Sequence, residues 1–115
     1  MINLKPVEDA IKAIAEPHRR EIMRLVWKQE LSAGEVASRF ELTRPAVSIH
    51  LRILKDAGLI SERRQGTRRL YRARPEGLDG LRAFLDEFWA GSLEELKVAA
   101  EAEERSPRQR GSISA

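Results

Sequence analysis

The sequence predicts a mainly α fold, and three observations lead there. Two short helical segments near the middle of the chain, Ser32–Phe40 and Thr43–Ala57, are separated only by Glu41-Leu42, the spacing of a helix-turn-helix. Directly behind them lie two short β-favouring runs, Leu59–Arg64 and Thr67–Ala73, around Gln65-Gly66. A long apolar stripe then begins after Pro75. With two further helices at the front, the order is four helices, a β-hairpin wing and a long C-terminal helix: a winged helix-turn-helix.

Each element has a local reason. In Lys5–Ala15, Val7, Ile11 and Ile14 fall on one helical face. Pro17 restarts the chain at a position proline favours, the first turn of a helix, and Ile22, Leu25 and Val26 make a stripe through Pro17–Gln29. Ser32 and Glu35 have the spacing of a capping box, with Val36, Ala37 and Phe40 on one side of the helix they open. Thr43 is an N-cap residue, Pro45 fits the first turn behind it, and Gly58 is the expected left-handed terminator. The hairpin needs a glycine at its tip for a positive φ, although its apolar alternation is not clean. Leu78, Leu81, Leu85, Phe88, Leu93 and Leu96 then recur at roughly heptad spacing. Gly91-Ser92 interrupts that stripe, and Ser92 with Glu95 has the spacing of a further capping box, so a kink or fray is expected there. Ser106–Ala115 is almost devoid of apolar residues and reads as a disordered tail behind a single domain over 1–105.

Composition narrows the function. At 115 residues with no cysteine, the chain fits one domain and excludes disulfides, thiolate metal sites and a cysteine nucleophile. No apolar run approaches the ~20 residues of a transmembrane helix, and the first residues lack the pattern of a signal peptide, so the expected location is the cytoplasm. The net charge of +3 hides an asymmetry: residues 58–74 hold six arginines and one acid, whereas residues 75–115 sum to −4. A short basic block beside an acidic half points to a localised polyanion contact. Aromatic content of 5% argues against a stacking platform for single strands. No nucleophile–base pair and no glycine-rich phosphate loop suggests an enzyme.

At about 100° per residue, Thr43–Ala57 divides cleanly. Arg44, Pro45, Ser48, Arg52, Lys55 and Asp56 share one side; Ala46, Val47, His50, Ile53, Leu54 and Ala57 share the other, with Ile49 and Leu51 at the boundary. Such a helix can pack on its own domain and still present donors to base edges and phosphates. An ordinary solvated face explains this helix equally well on its own. The hairpin tips the balance: Arg63, Arg64, Arg68, Arg69, Arg72 and Arg74 surround a single acid, Glu62. Charged edge strands also discourage aggregation, but that purpose is served by mixed signs.

The segments Ala15-Glu16-Pro17-His18-Arg19-Arg20-Glu21-Ile22, Leu31-Ser32-Ala33-Gly34-Glu35-Val36-Ala37 and Leu42 through Ile60, with Pro45-Ala46-Val47-Ser48 and His50-Leu51 inside it, resemble the ArsR (arsenical-resistance repressor) family. Arg63 through Arg72 continue the likeness, which covers about residues 7–97. The resemblance implies a homodimer joined by its first and last helices, and repression through a palindromic operator in double-stranded DNA. It places Thr43, Arg44, Pro45 and Ser48 at groove-facing positions. With the charge pattern, the residues expected to contact DNA are these four with Ile49, Arg52 and Lys55, and Arg63, Arg64, Gln65, Gly66, Thr67, Arg68, Arg69 and Arg72 on the wing. Ile49 departs from the polar residue usual in the family; it either touches a thymine methyl or seals the helix edge. His50 is expected to pack or to bond a phosphate, not to read a base.

The expected dimer residues are Val7, Ile11, Ile14, Leu81, Leu85, Phe88 and Trp89. Phe84, Leu85, Phe88 and Trp89 could instead line a pocket for an unidentified small-molecule effector, but a dimer seam explains such a stripe more simply. Glu94, Glu95, Glu101, Glu103 and Glu104 read as a solvated face. Metal-sensing relatives carry cysteines near Ser32 and Gly34, or histidines on the last helix; this chain has neither. No metal site and no cofactor are therefore expected, so that a metal titration should find no tight site, and His18 reads as a surface residue at a helix start. Two rivals remain: a nonspecific architectural DNA binder, and a winged-helix module for protein interaction.

Overall fold

A computed structural model describes residues 3–105. The elements are α1 (Lys5–Ile14), α2 (Pro17–Lys28), β1 (Leu31–Ser32), α3 (Ala33–Ala37), α4 (Arg44–Asp56), β2 (Ile60–Gln65), β3 (Arg68–Ala73), a 3₁₀ turn (Pro75–Leu78) and α5 (Asp79–Arg105). The mainly helical winged fold expected from the sequence is present. The described chain divides into two compact units, at Arg82 and Ala83.

In the first unit, Ile22, Val26, Val36, Val47, Leu51, Leu54, Leu59 and Ile60 are fully buried. Each such side chain contributes roughly 1.5–3 kcal/mol on removal from water. Leu51, at the edge of the predicted stripe, is as buried as Leu54. The face of α1 differs from expectation. Val7, Ala10 and Ala13 turn inward, because two alanines let that face approach the core closely. Ile11 is rotated out and 40% exposed, while Ile14 packs against the core edge.

The helix ends follow capping chemistry. Ser32 Oγ accepts the Glu35 N–H at 3.2 Å, and Glu35 Oε1 accepts the Ser32 N–H at 2.9 Å, the reciprocal box predicted. The α3 helix is shorter than expected, because residues 38–41 form a turn. Thr43 Oγ1 accepts the Ala46 N–H and opens α4. At its far end, Gly58 N–H bonds Lys55 O and Leu59 N–H bonds Leu54 O. With Gly58 at φ 78°, this is a Schellman ending in which glycine avoids the left-handed strain of a side chain. Gly77 is required for a different reason: a β-carbon there would lie 2.1 Å from Gly58 O.

The wing is a three-stranded sheet in the order β1-β3-β2. Strand β1 was not expected; its two residues pair Leu31 with Tyr71 and Ser32 with Leu70. Strands β2 and β3 run antiparallel from Ile60–Ala73 to Gln65–Arg68. The tip is therefore Gly66-Thr67, one residue beyond the predicted Gln65-Gly66, with Gly66 at φ 63°. The alternation was obscured because Tyr71 and Ala73 join the core while Leu70 is buried outside that cluster.

The last helix does not fray or break at the expected interruption. The α5 backbone stays helical through Gly91 and Ser92, so Ser92 does not begin a new helix. One interior glycine costs only about 1 kcal/mol, and the good helix formers that follow outweigh it. The 106–115 tail lies outside the described residues. No described helix is long and apolar enough to cross a membrane.

Candidate nucleic-acid interface

Helix α4 turns Val47, Leu51 and Leu54 into the core. That orientation leaves Arg44, Pro45, Ser48, Ile49, Arg52 and Lys55 exposed on the opposite side. Ile49 is 51% exposed, so it does not seal the helix against its own domain. Thr43 is exposed, but its hydroxyl oxygen already serves as the cap. The Arg44 guanidinium lies against Gly34, where a β-carbon would sit 3.5 Å from Nη1.

Between α4 and the wing lies a concavity of about 300 Å³, lined by Ser48, Ile49, Arg52, Lys55, Glu62, Arg69 and Tyr71. Glu62 is its electrostatic centre. Its carboxylate accepts from Lys55 Nζ at 3.2 Å and from Tyr71 OH at 3.0 Å, with Arg69 Nη1 at 3.9 Å. Partial burial pushes its carboxyl up, but those hydrogen bonds outweigh it and hold Glu62 below the usual carboxylate range. Burial, and then the bond to Glu62, raise the Tyr71 hydroxyl. Glu62 thus ties the α4 side of the groove to the wing.

The wing residues Arg63, Arg64, Gln65, Gly66, Thr67, Arg68, Arg69 and Arg72 are all exposed. Their charge is less free than a local count suggests. Arg63 grips Glu30 through two 2.7 Å hydrogen bonds, and Arg68 bonds Glu35 at 2.7 Å. The Arg63 bond holds the Glu30 carboxyl below its usual range. In Glu35 the main cause is the Ser32 backbone N–H. These partners lie 33 residues away in sequence, so a sliding charge count could not find them. Only the Arg-x-x-x-Glu type of local spacing is visible in a sequence. Among the described residues Arg44, Arg52 and Arg64 have no carboxylate partner.

A second constellation was also missed. His50 sits on the inner flank of α4 with 17% of its side chain exposed, and His18 stacks on it at 5.8 Å between ring centroids. Glu16 caps α2 through the Arg19 N–H and lies 2.9 Å from His18 Nδ1. Arg19 Nη1 is 3.3 Å from His50 Nδ1. Since arginine only donates, that nitrogen of His50 accepts. Burial, followed by the Arg19 and His18 charges, moves His50 below its ordinary value against the pull of Glu16. His18 is therefore more than an isolated surface residue. The sequence signal was only a Glu-x-His with another histidine far downstream.

Of the expected dimer residues, Val7 and Leu81 are buried within the chain. Leu85 is 49%, Phe88 59% and Trp89 64% exposed. Phe84 and Phe88 meet edge to face at 5.2 Å.

An exposed basic helix beside an arginine-bearing hairpin defines a protein of the winged helix-turn-helix DNA-binding class. Residues 16–62 match the family described as bacterial regulatory protein, arsR family. The chain is 41% identical over 93 residues to the HTH-type transcriptional regulator Rv2034 of Mycobacterium tuberculosis, covering 81% of this chain and 87% of that protein. It is 29% identical over 85 residues to an arsenical resistance operon repressor of Staphylococcus xylosus, covering 74% and 82%. A crystal structure of a possible transcriptional regulator for arsenical resistance superposes with a TM-score of 0.66 at 40% identity, covering 79% of this chain and 95% of that one. The chain belongs to the ArsR family of transcriptional regulators, a class of DNA-binding proteins that are not enzymes.

Proposed function

We propose that this regulator is a homodimeric repressor that reads a palindromic operator in double-stranded DNA. Residues 1–105 serve as its DNA-binding and dimerisation domain, in the cytoplasm. Helix α4 enters the major groove, where Arg44 and Arg52 present planar donor forks to guanine O6 and N7. Ser48 and Ile49 meet neighbouring base edges, and Thr43 and Pro45 set the approach of the helix start. Arg64 and Arg72 lie on flanking phosphates, with Gln65, Gly66 and Thr67 at the wing tip. Lys55, Arg63, Arg68 and Arg69 join them only by giving up or sharing their carboxylate partners. Two copies would place two such helices in successive major grooves, about 34 Å apart, and exclude polymerase from an overlapping promoter.

The observation that carries this reading is the pair of exposed arginines on α4 with no carboxylate partner among the described residues. A purely phosphate-binding surface has no need of a helix face so divided. Support for a second copy comes from the exposed apolar side chains Ile11 on α1 and Leu85, Phe88 and Trp89 on α5. Selection of bound duplexes from a random pool at near-physiological salt tests the proposal. Enrichment of an inverted repeat with half-sites one helical turn apart is the expected result. Binding without enrichment would make the protein an architectural binder, and no binding at all would favour a protein-interaction module.

A further inference from the structure

Both histidines of the chain come from distant segments to meet one carboxylate. Glu16 precedes α2, His18 lies in its first turn, and His50 projects from the middle of α4. One nitrogen or oxygen from each lies within 4.8 Å of the other two. We propose that Glu16, His18 and His50 form a divalent-cation site, suited best to zinc, that ties the start of α2 to α4.

Tetrahedral zinc with nitrogen and oxygen ligands at about 2.0–2.2 Å needs ligand atoms roughly 3.3–3.5 Å apart. The observed separations bracket that value: 2.9 Å from Glu16 Oε1 to His18 Nδ1, and 3.9 Å from Glu16 Oε2 to His50 Nδ1. Shifts of well under an ångström bring these two pairs to ligand spacing; the widest pair of the set, within 4.8 Å, closes further as the two rings, stacked 23° from parallel, turn their nitrogens toward the ion. Two imidazoles with one carboxylate favour zinc over calcium or magnesium, which prefer oxygen. The carboxylate is already oriented by the Arg19 N–H at 3.0 Å, the kind of outer contact that fixes a metal ligand. Glu16 and His18 keep 30% and 48% of their side chains exposed, so an ion has a way in.

The Arg19 guanidinium is the competing cation. Its Nε and Nη2 stay bonded to Ala13 O at 2.6 Å and Lys12 O at 3.2 Å. Only its contact with His50 has to lengthen. The ion therefore replaces two hydrogen bonds, Arg19 to His50 and His18 to Glu16, while the anchoring of Arg19 on the end of α1 persists. This set differs from both metal positions of the family resemblance, since it uses neither the Ser32–Gly34 segment nor α5.

The test titrates chelator-treated full-length protein with zinc alone, in a non-coordinating buffer near pH 7.5. Imidazole NMR signals and competition with a metal indicator are read together. One zinc per chain should bind, with the His18 and His50 ring signals shifting in step. His18→Gln, His50→Gln and Glu16→Gln should each weaken binding by about tenfold or more. His18 is half exposed, so its variant remains informative if His50→Gln fails to fold. Saturating zinc that leaves both ring signals unmoved overturns the proposal, as does undiminished binding by His18→Gln.

Discussion

Replacing Arg44 with alanine separates base reading from charge. Arg44 is exposed at the first position of α4, and its side chain has no hydrogen bond or ion pair among the described residues. Its main neighbour is the backbone at Gly34. Folding stability should therefore change by less than about 0.5 kcal/mol, as for other surface positions. Binding is a different matter. A bidentate arginine–guanine pair discriminates by about 1–3 kcal/mol, which is roughly 5- to 150-fold in affinity per half-site. The assay is fluorescence anisotropy at one fixed salt concentration, with three duplexes: the selected operator, the operator altered at one base pair, and a scrambled sequence. The variant should lose affinity for the operator, lose little more when the contacted base pair is changed, and bind scrambled DNA nearly as the parent does. An equal loss on all three duplexes would refute base reading by Arg44 and leave it a phosphate contact.

Four further outcomes follow from the same geometry. Arg64→Ala should weaken binding to all sequences alike and reduce the log–log salt slope by about 1, the signature of one lost phosphate contact; an unchanged slope would remove Arg64 from the interface. Leu54→Ala empties a fully buried site and should cost about 2–5 kcal/mol in denaturant unfolding; a loss under 1 kcal/mol would mean that α4 does not seat on this core. Ser32→Ala removes one half of the α3 capping box and should cost about 1 kcal/mol, with no change in thermal midpoint as the contrary result. Glu30, Glu35 and Glu62 all hold their carboxyls below the ordinary value of 4.5. Their stabilising contribution is thus complete above pH 4.5 and is lost as pH falls through the lower folded-state values, because the unfolded chain binds protons first. Melting temperatures should be insensitive to these groups from pH 7 to 5 and fall below that; a rise on acidification would contradict the ion pairs.

Local chemistry made much of the fold legible. Ser32 with Glu35, Thr43 with Pro45, and Gly58 each announce a helix end through groups a few residues apart, and all three act as expected. The exposed face of α4 followed from periodicity because Val47, Leu51 and Leu54 have no other way to leave water together. Features that failed to show depend on long-range neighbours. Strand β1 is only Leu31–Ser32, held by pairing with β3 and not by propensity. On α1 the alanines won the core face from Ile11, since close approach of two elements outweighed side-chain size. Gly91 looked like a break, yet its cost was too small to end a helix of 27 residues.

The candidate site divides in the same way. Which cations stand on α4 and the wing could be read directly. Which of them are already engaged could not, because Arg63 meets Glu30 and Arg68 meets Glu35 across 33 residues. The same folding of distant segments brings His18 and His50 into contact.

If two α4 helices read one inverted repeat from the same face of DNA, as proposed, affinity for the selected operator depends on the spacing of its half-sites. It is measured before and after inserting about 5 bp between them, half a helical turn. The insertion places the half-sites on opposite faces and should reduce affinity to near that of a single half-site. Restoring a full turn with about 10 bp brings the half-sites back to one face. Equal affinity for the parent and the half-turn duplex would contradict dimeric recognition by paired helices.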